Sequence, residues 1–293
     1  MTGRHPAPAV VAIGGGHGLA ATLRAVRTYT DRITAVVSVA DDGGSTGRLR
    51  AADDRPAPGD LRKCLVALAG EDSPLARSME HRFTSGELEG HAFGNLMIVA
   101  MAETDGDLVG ALDEIGRLLG VVGRVLPATS EVVQLRAAAT SGEQVAGQVA
   151  VGARSDVCTV AVSPPDAAAC PAAVEAILAA DQIVLGPGSL YTSVLAATAV
   201  PGIRDAVRAS SAQLVYACNL RPQHSETTGY DVAAHVAALR RHGLVADTVL
   251  YDPHTMGEVE GVAGAVPVAL ARSSGLAHDP ELLGTALAGL LDR

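Results

Sequence analysis

The sequence predicts a Rossmann-like α/β fold, doubly wound around a mostly parallel sheet, with a β-rich elaboration near the middle of the chain. Three observations carry this. Short β-branched runs end in glycine-rich turns, at "IGGGHGLA" (13–20) and "LGPGSLYTS" (185–193). Helical periods follow those turns, so strand, turn, helix and strand alternate as in parallel units with right-handed crossovers. The core is aliphatic: hydrophobic residues make up 48% of the chain, with only two Phe, five Tyr and no Trp. Ala- and Val-rich layers suit parallel strands buried on both faces.

In order along the chain, residues 9–13 read as the first strand, 19–26 as a helix and 33–39 ("ITAVVSV") as the second strand. Helices are expected over 59–69, 74–83, 95–103 and 108–119. The middle then changes character. Residues 121–127, 132–139, 144–150 and 157–162 are short and strand-like with little helix between them, so an antiparallel elaboration is expected over about 121–162. Alternation resumes with helix 171–180, strand 182–185, helix 190–197, strand 213–218, helix 232–242, strand 248–251 and a last helix over 280–291. No internal repeat, charge block or low-complexity linker interrupts this order. The reading is a leader over 1–8 without order and one α/β domain over 9–293.

Composition narrows the function. The formal net charge is −10 and aromatic residues are 2% of the chain, so neither a broad basic face nor stacking platforms for nucleic acid are expected. A small anionic ligand remains compatible, because arginines and helix N-termini act locally. Cys64, Cys158, Cys170 and Cys218 form no CxxC pair and read as reduced packing residues. No apolar run reaches the roughly 18 residues of a membrane span. The stretch "MTGRHPAPA" lacks the apolar centre of a signal peptide. A cytoplasmic protein is expected, and base rates for soluble proteins favour a homodimer.

Six motifs fall where open α/β sheets bind ligands, at the carboxyl ends of strands or at helix starts. In "IGGGHGLA", glycines let the backbone approach a phosphate at a helix N-terminus, although the pattern is neither a strict G-x-G-x-x-G nor a Walker loop. The stretch "VSVADDGGSTGRLR" (37–50) puts Asp41 and Asp42 at the end of the second strand. There they can accept from ribose hydroxyls, hold Mg²⁺ beside a phosphate, or cap the next segment. Arg48 and Arg50 can clamp a diphosphate. In "APGDLRKCLVAL" (57–68), Asp60 is placed to cap a helix. "GHAFGNLM" (90–97) brings a His and Asn95 before a buried helix. "LGPGSLYTS" offers Ser189, Thr192 and Ser193 at a second helix start. "CNLRPQHSETTGY" (218–230) is a long polar loop with Asn219, Arg221, Thr227 and Tyr230. No Ser-His-Asp order, HExxH or metal-type Cys/His cluster supports a hydrolase or zinc reading.

Together "GGGHGL", "VADDGGSTGRLR", "PGDLRKCLVALA", "GHAFGNLM", "GPGSLYTS" and "CNLRPQHSETTGY" span about residues 10–250 in order. The set resembles the gluconeogenesis factor family (YvcK-like), within the wider superfamily of the phospholactate transferase of deazaflavin biosynthesis (CofD-like). The resemblance implies a Rossmann-like fold with a nucleotide-type ligand across the strand ends. For the gluconeogenesis-factor branch it implies binding of UDP-sugars such as UDP-N-acetylglucosamine. It also implies a regulatory role in cell shape and wall synthesis on gluconeogenic carbon sources, alongside cell-wall regulatory proteins. For the transferase branch it implies transfer of a phospholactyl group to a deazaflavin alcohol, with Mg²⁺ held by the residues matching Asp41 and Asp42. The expected ligand set is Gly14, Gly15, Gly16, His17, Gly18, Asp42, Ser45, Arg48, Asn95, Gly186, Gly188, Ser189, Leu190, Tyr191, Thr192, Asn219 and Thr227. Three departures stand out. His17 follows the three glycines where the family commonly has Thr, and "LAHDP" (276–280) puts Ala277 where the family often has Arg. The segment after Asp252 is short and lacks the usual aromatic.

Overall fold

The computed structural model describes residues 7–45, 47, 56–70 and 73–291. Strand β1 (Val10–Gly14) is buried at all five positions, as a strand covered on both faces requires. It turns into α1 (Gly16–Val26), whose buried Leu19, Leu23 and Val26 recur at helical spacing. β2 (Ile33–Val37) returns parallel to β1, with Val10 opposite Ile33. Helices α2 (Gly59–Leu68), α3 (Pro74–Glu80), α4 (Phe93–Asp105) and α5 (Leu108–Leu119) follow. Next comes β3 (Arg124–Pro127), parallel to β2. Strands β4 (Gln134–Ala139) and β5 (Gln144–Ala146), helix α6 (Gln148–Gly152) and strand β6 (Val157–Ser163) form the elaboration.

Helix α7 (Pro171–Leu178) leads to β7 (Gln182–Leu185), which pairs with the other edge of β1. A π-helical turn (Leu190–Val194) runs into α8 (Leu195–Thr198) and α9 (Pro201–Ala209). β8 (Gln213–Ala217), α10 (Val232–Arg241), β9 (Thr248–Tyr251), α11 (Pro253–Met256), β10 (Ala265–Pro267) and α12 (Pro280–Leu291) complete the order. The seven-stranded sheet has the order β10-β9-β8-β7-β1-β2-β3, and its pairings are parallel. From β1 the chain winds outward through β2 to β3. From β7 it winds outward the other way, through β8 and β9 to β10. The winding reverses between β1 and β7, the position where open α/β sheets leave a crevice at their carboxyl ends. One contiguous cluster of buried residues joins both sheets. Among the described residues no helix is long and apolar enough to cross a membrane.

The doubly wound parallel expectation holds, with corrections of detail. The elaboration is a separate antiparallel sheet of order β5-β4-β6 that begins at Gln134, not near 121. β3 belongs to the main sheet, where Val125 and Leu126 are buried. The strand expected over 144–150 divides at Gly147: 144–146 pairs with β4, and 148–152 turns helical. The helix expected over 190–197 opens as a π-turn, and α9 and β10 are additional elements. Of the expected leader, residues 1–6 lie outside the described residues. Ala7 and Pro8 are tied down, their carbonyls accepting from Arg32 Nη1 and Thr30 Oγ1, both at 2.7 Å. The four cysteines are free thiols and all but Cys158 are buried, which fits a packing role.

Candidate functional site at the strand ends

The turns after β1 and β7 meet at the switch point and interlock. Gly18 lies in the first turn of α1 with the other turn's backbone against it. A Cβ at Gly18 would stand 2.2 Å from Pro187 O and 2.6 Å from Gly188 Cα. Gly16 holds φ at +64°, in the left-handed region where glycine is unstrained. One turn further along α1, Thr22 Oγ1 donates to Gly186 O at 2.7 Å. Asn219, just past β8, locks the same turn from the other side. Gly188 N donates to Asn219 Oδ1 and Asn219 Nδ2 donates to Gly188 O, both at 2.9 Å.

Between these turns and the segment 272–281 opens a cavity of about 850 Å³, within the range of small-molecule sites. One wall is α1 and the turn after it, through His17, Gly18, Ala21 and Arg24 and then Arg27 and Thr28. The floor is Pro187, Gly188, Asn219 and Gln223, and the far wall runs through Arg272 and residues 276–281. The N-terminus of α1 has no side-chain cap and no acidic residue in its first turn. Its first amides have no side-chain acceptor within the helix, and the Asp60 carboxylate, close to Gly15 and Gly16, stands at the positive end of its dipole. Two guanidinium groups, of Arg24 and Arg272, are exposed here and have no side-chain hydrogen bond or ion pair among the described residues. Other groups in the wall are already engaged. Arg27 Nη1 donates to the carbonyls of Ala67 and Ala69 at 3.0 and 2.9 Å. Asp279 accepts from Glu281 N and Leu282 N, capping α12. Burial holds the His278 ring below the usual histidine pKa, so it is neutral near pH 7, and its Nε2 lies 3.1 Å from the Cys218 carbonyl it donates to.

The turn after β7 is closed by the chain itself. Tyr191 N and Thr192 N both donate to Glu226 Oε1, at 2.5 and 2.8 Å, and Thr192 Oγ1 donates to Oε2 at 3.2 Å. Burial pushes the Glu226 carboxyl above the ordinary range, and these donors pull it back only in part. Leu190 and Tyr191 are fully buried, and the Tyr191 hydroxyl meets that of Tyr230 at 2.9 Å. Ser189 Oγ accepts from Gln223 Nε2 at 3.2 Å and Thr227 Oγ1 accepts from Gln223 N at 2.8 Å. Ser189, Leu190, Tyr191, Thr192 and Thr227 thus build the floor from behind. Of the expected set, His17, Gly18, Gly188 and Asn219 line the cavity itself. Gly14 closes β1, Gly15 precedes α1, Gly16 begins it, and Gly186 is tied to Thr22.

The remaining expected residues that the structure describes, Asp41, Asp42, Ser45 and Asn95, do not line the cavity. Asp42 Oδ2 accepts from Gln148 N and Oδ1 from Val149 N, both at 3.0 Å. Of the three readings open for the pair, this is a cap, though for a helix more than a hundred residues away. Asp41 Oδ1 accepts from Gly43 N at 3.0 Å. Each Asp42 oxygen receives one backbone amide, and its second lone pair remains open. No group of three His, Cys, Asp or Glu converges among the described residues. Ser45 lies 3.2 Å from His91 Nδ1 and accepts from Asn95 Nδ2, also at 3.2 Å. Arg48 and Arg50 lie outside the described residues. Asp60 does not cap its helix: it is buried, pairs with Lys63 at 2.9 Å, and stands beside Gly15. If Asp42 is a cap, Asp42→Ala will lower stability by about 2 kcal/mol and Asp42→Asn by less. Urea unfolding measures this, and equal midpoints for the wild type and Asp42→Ala would refute it.

Arg24, Arg272 and Glu226 are the functional groups that motif reading missed. A signal for Arg24 was present: His17, Ala21 and Arg24 share one face of α1 at helical spacing.

Fold and site together define a Rossmann-like α/β protein with a polar, locally cationic cavity at the switch point of a parallel sheet. The family model described as 2-phospho-L-lactate transferase CofD matches residues 10–270. A crystal structure of a UPF0052 family member from Bacillus halodurans superposes with a TM-score of 0.90 at 35% identity, covering 97% of this chain and 99% of that one. The gluconeogenesis factor of Halalkalibacterium halodurans is 42% identical over 247 residues, 83% of this chain and 77% of that protein. A gluconeogenesis-factor relative from Nostoc sp. is 44% identical over 234 residues, 79% of this chain and 51% of the relative, so the match spans about half its length. The chain belongs to the CofD family, in its gluconeogenesis-factor branch.

Proposed function

We propose that this chain is a regulatory protein that binds a UDP-sugar of the UDP-N-acetylglucosamine type across its strand ends, without turnover. In this reading it is a cytoplasmic homodimer. It acts with cell-wall regulatory proteins in cell shape and wall synthesis on gluconeogenic carbon sources. The observation that carries the ligand reading is the cavity at the β1/β7 switch point, with the uncapped N-terminus of α1 in its wall. A diphosphate has donors there, and a cavity of about 850 Å³ has room for nucleoside and sugar. Isothermal calorimetry tests the reading: UDP-N-acetylglucosamine is expected to bind at micromolar concentrations with one site per chain. No heat and no thermal shift at millimolar ligand would remove it.

A further inference from the structure

The far wall of the cavity is a hairpin pinned at both feet. Asp252, just past β9, accepts with one oxygen from Leu270 N at 2.8 Å and Ala271 N at 3.0 Å. Arg272 N donates to Ala277 O at 2.8 Å, and an antiparallel bridge joins Ala271 to His278. The second foot is His278, whose ring donates through Nε2 to the Cys218 carbonyl just past β8. A carbonyl only accepts, so that bond fixes the tautomer: the proton sits on Nε2 and Nδ1 carries a lone pair. Burial keeps the ring neutral, against the opposing pull of this bond and of Asp252. Nδ1 has no partner among the described residues, and unlike the unpaired Oε1 of Gln223 on the floor it is not sealed from solvent. It opens into the cavity that His278 lines. A neutral lone pair repels phosphate oxygens and accepts from a hydroxyl or an amide N–H. With the first amides of α1 on the opposite wall, the cavity favours one orientation of a ligand that joins a diphosphate to a polyol.

We propose that His278 determines specificity in this cavity: its Nδ1 accepts from an uncharged donor of the ligand, a hydroxyl of the ribose or a hydroxyl or amide N–H of the sugar. This rests on the UDP-sugar reading above and deepens it, naming the residue that selects and orients the neutral part of the ligand. Two variants divide the roles of the ring between its nitrogens. In His278→Gln the side-chain amide nitrogen reaches the place of Nε2, which keeps the bond to Cys218 and removes the acceptor. In His278→Asn the side-chain oxygen reaches the place of Nδ1, which keeps the acceptor and removes that bond, while Asp252 still holds the other foot. Calorimetry on the full chain with UDP-N-acetylglucosamine is expected to give roughly three- to tenfold weaker binding for His278→Gln, the range of one neutral hydrogen bond. His278→Asn is expected to bind within about twofold of the wild type. In a thermal scan His278→Gln is expected to unfold with the wild type and His278→Asn below it. UDP alone locates the donor. The same loss with UDP puts it on the ribose, and a loss confined to the sugar nucleotide puts it on the sugar. Equal affinity of the wild type and His278→Gln for both probes overturns the inference, and UDP-sugar binding still stands. An equal loss in the two variants also overturns it, because His278 then only builds the wall. If neither probe binds the wild type, the UDP-sugar reading falls and this inference falls with it.

Discussion

Gly18→Ala will force the two glycine-rich turns apart. The added methyl would stand 2.2 Å from a carbonyl oxygen and 2.6 Å from a Cα, both backbone atoms. A flexible side chain could swing away from it. The 187–188 backbone cannot, because Thr22 ties the preceding residue to α1 and Asn219 holds Gly188 by two hydrogen bonds. Overpacking of this kind typically costs 1–3 kcal/mol, and with no soft neighbour the upper end, about 3 kcal/mol, is expected. In a chain of this size that lowers the melting temperature by roughly 5–10 °C. Ligand affinity falls too, since Gly18 and Gly188 both line the cavity. Differential scanning calorimetry and ligand titration read the two effects. A variant that melts with the wild type and binds equally would show that the turns are not locked as described.

Glu226→Ala carries the second large effect. Its carboxylate is the acceptor for the Tyr191 and Thr192 amides and for the Thr192 hydroxyl. Tyr191 is fully buried and Thr192 nearly so, and a buried donor left without an acceptor costs 1–3 kcal/mol. Two such amides give an expected loss of about 2–6 kcal/mol in urea unfolding. Glu226→Gln keeps one acceptor oxygen in place, so its loss is expected to be the smaller. Equal losses in the two variants would mean that the charge, not the acceptor, holds the turn.

The parallel sheet was legible because each strand is an apolar run ending in punctuation that only a strand-to-helix turn uses. Which sheet β3 joins was not. Arg124–Pro127 has four residues and no alternation, so its run looks the same beside an antiparallel neighbour as beside β2. The segment 144–150 reads as one strand until Gly147 allows a break and Asp42, far away in sequence, supplies the acceptor that lets 148–152 turn helical. Helix α9 had its signals, Pro201 at the start and Ile203, Ala206 and Val207 on one face, but they follow directly on the apolar run before them.

The site divides in the same way. His17, Gly18, Gly188 and Asn219 sit in motifs whose chemistry is local, and the structure brings them to one cavity. Arg24 and Arg272 come from a helix face and a distant tail, and only tertiary packing sets them across one space. The second glycine-rich turn looked like a phosphate cradle because its amides point outward from a helix start. A carboxylate more than thirty residues on had already taken them, and no local pattern announces that.

The exchange between Asn219 and Gly188 has a mechanical meaning. A side-chain amide has the same donor and acceptor as a peptide group, so Asn219 adds one rung to the ladder between β7 and β8 after both strands have ended. The sheet is in effect one step longer at this point than its backbone. The turns at 186–188 and 219–223 are thereby fastened to one another as one lip of the cavity.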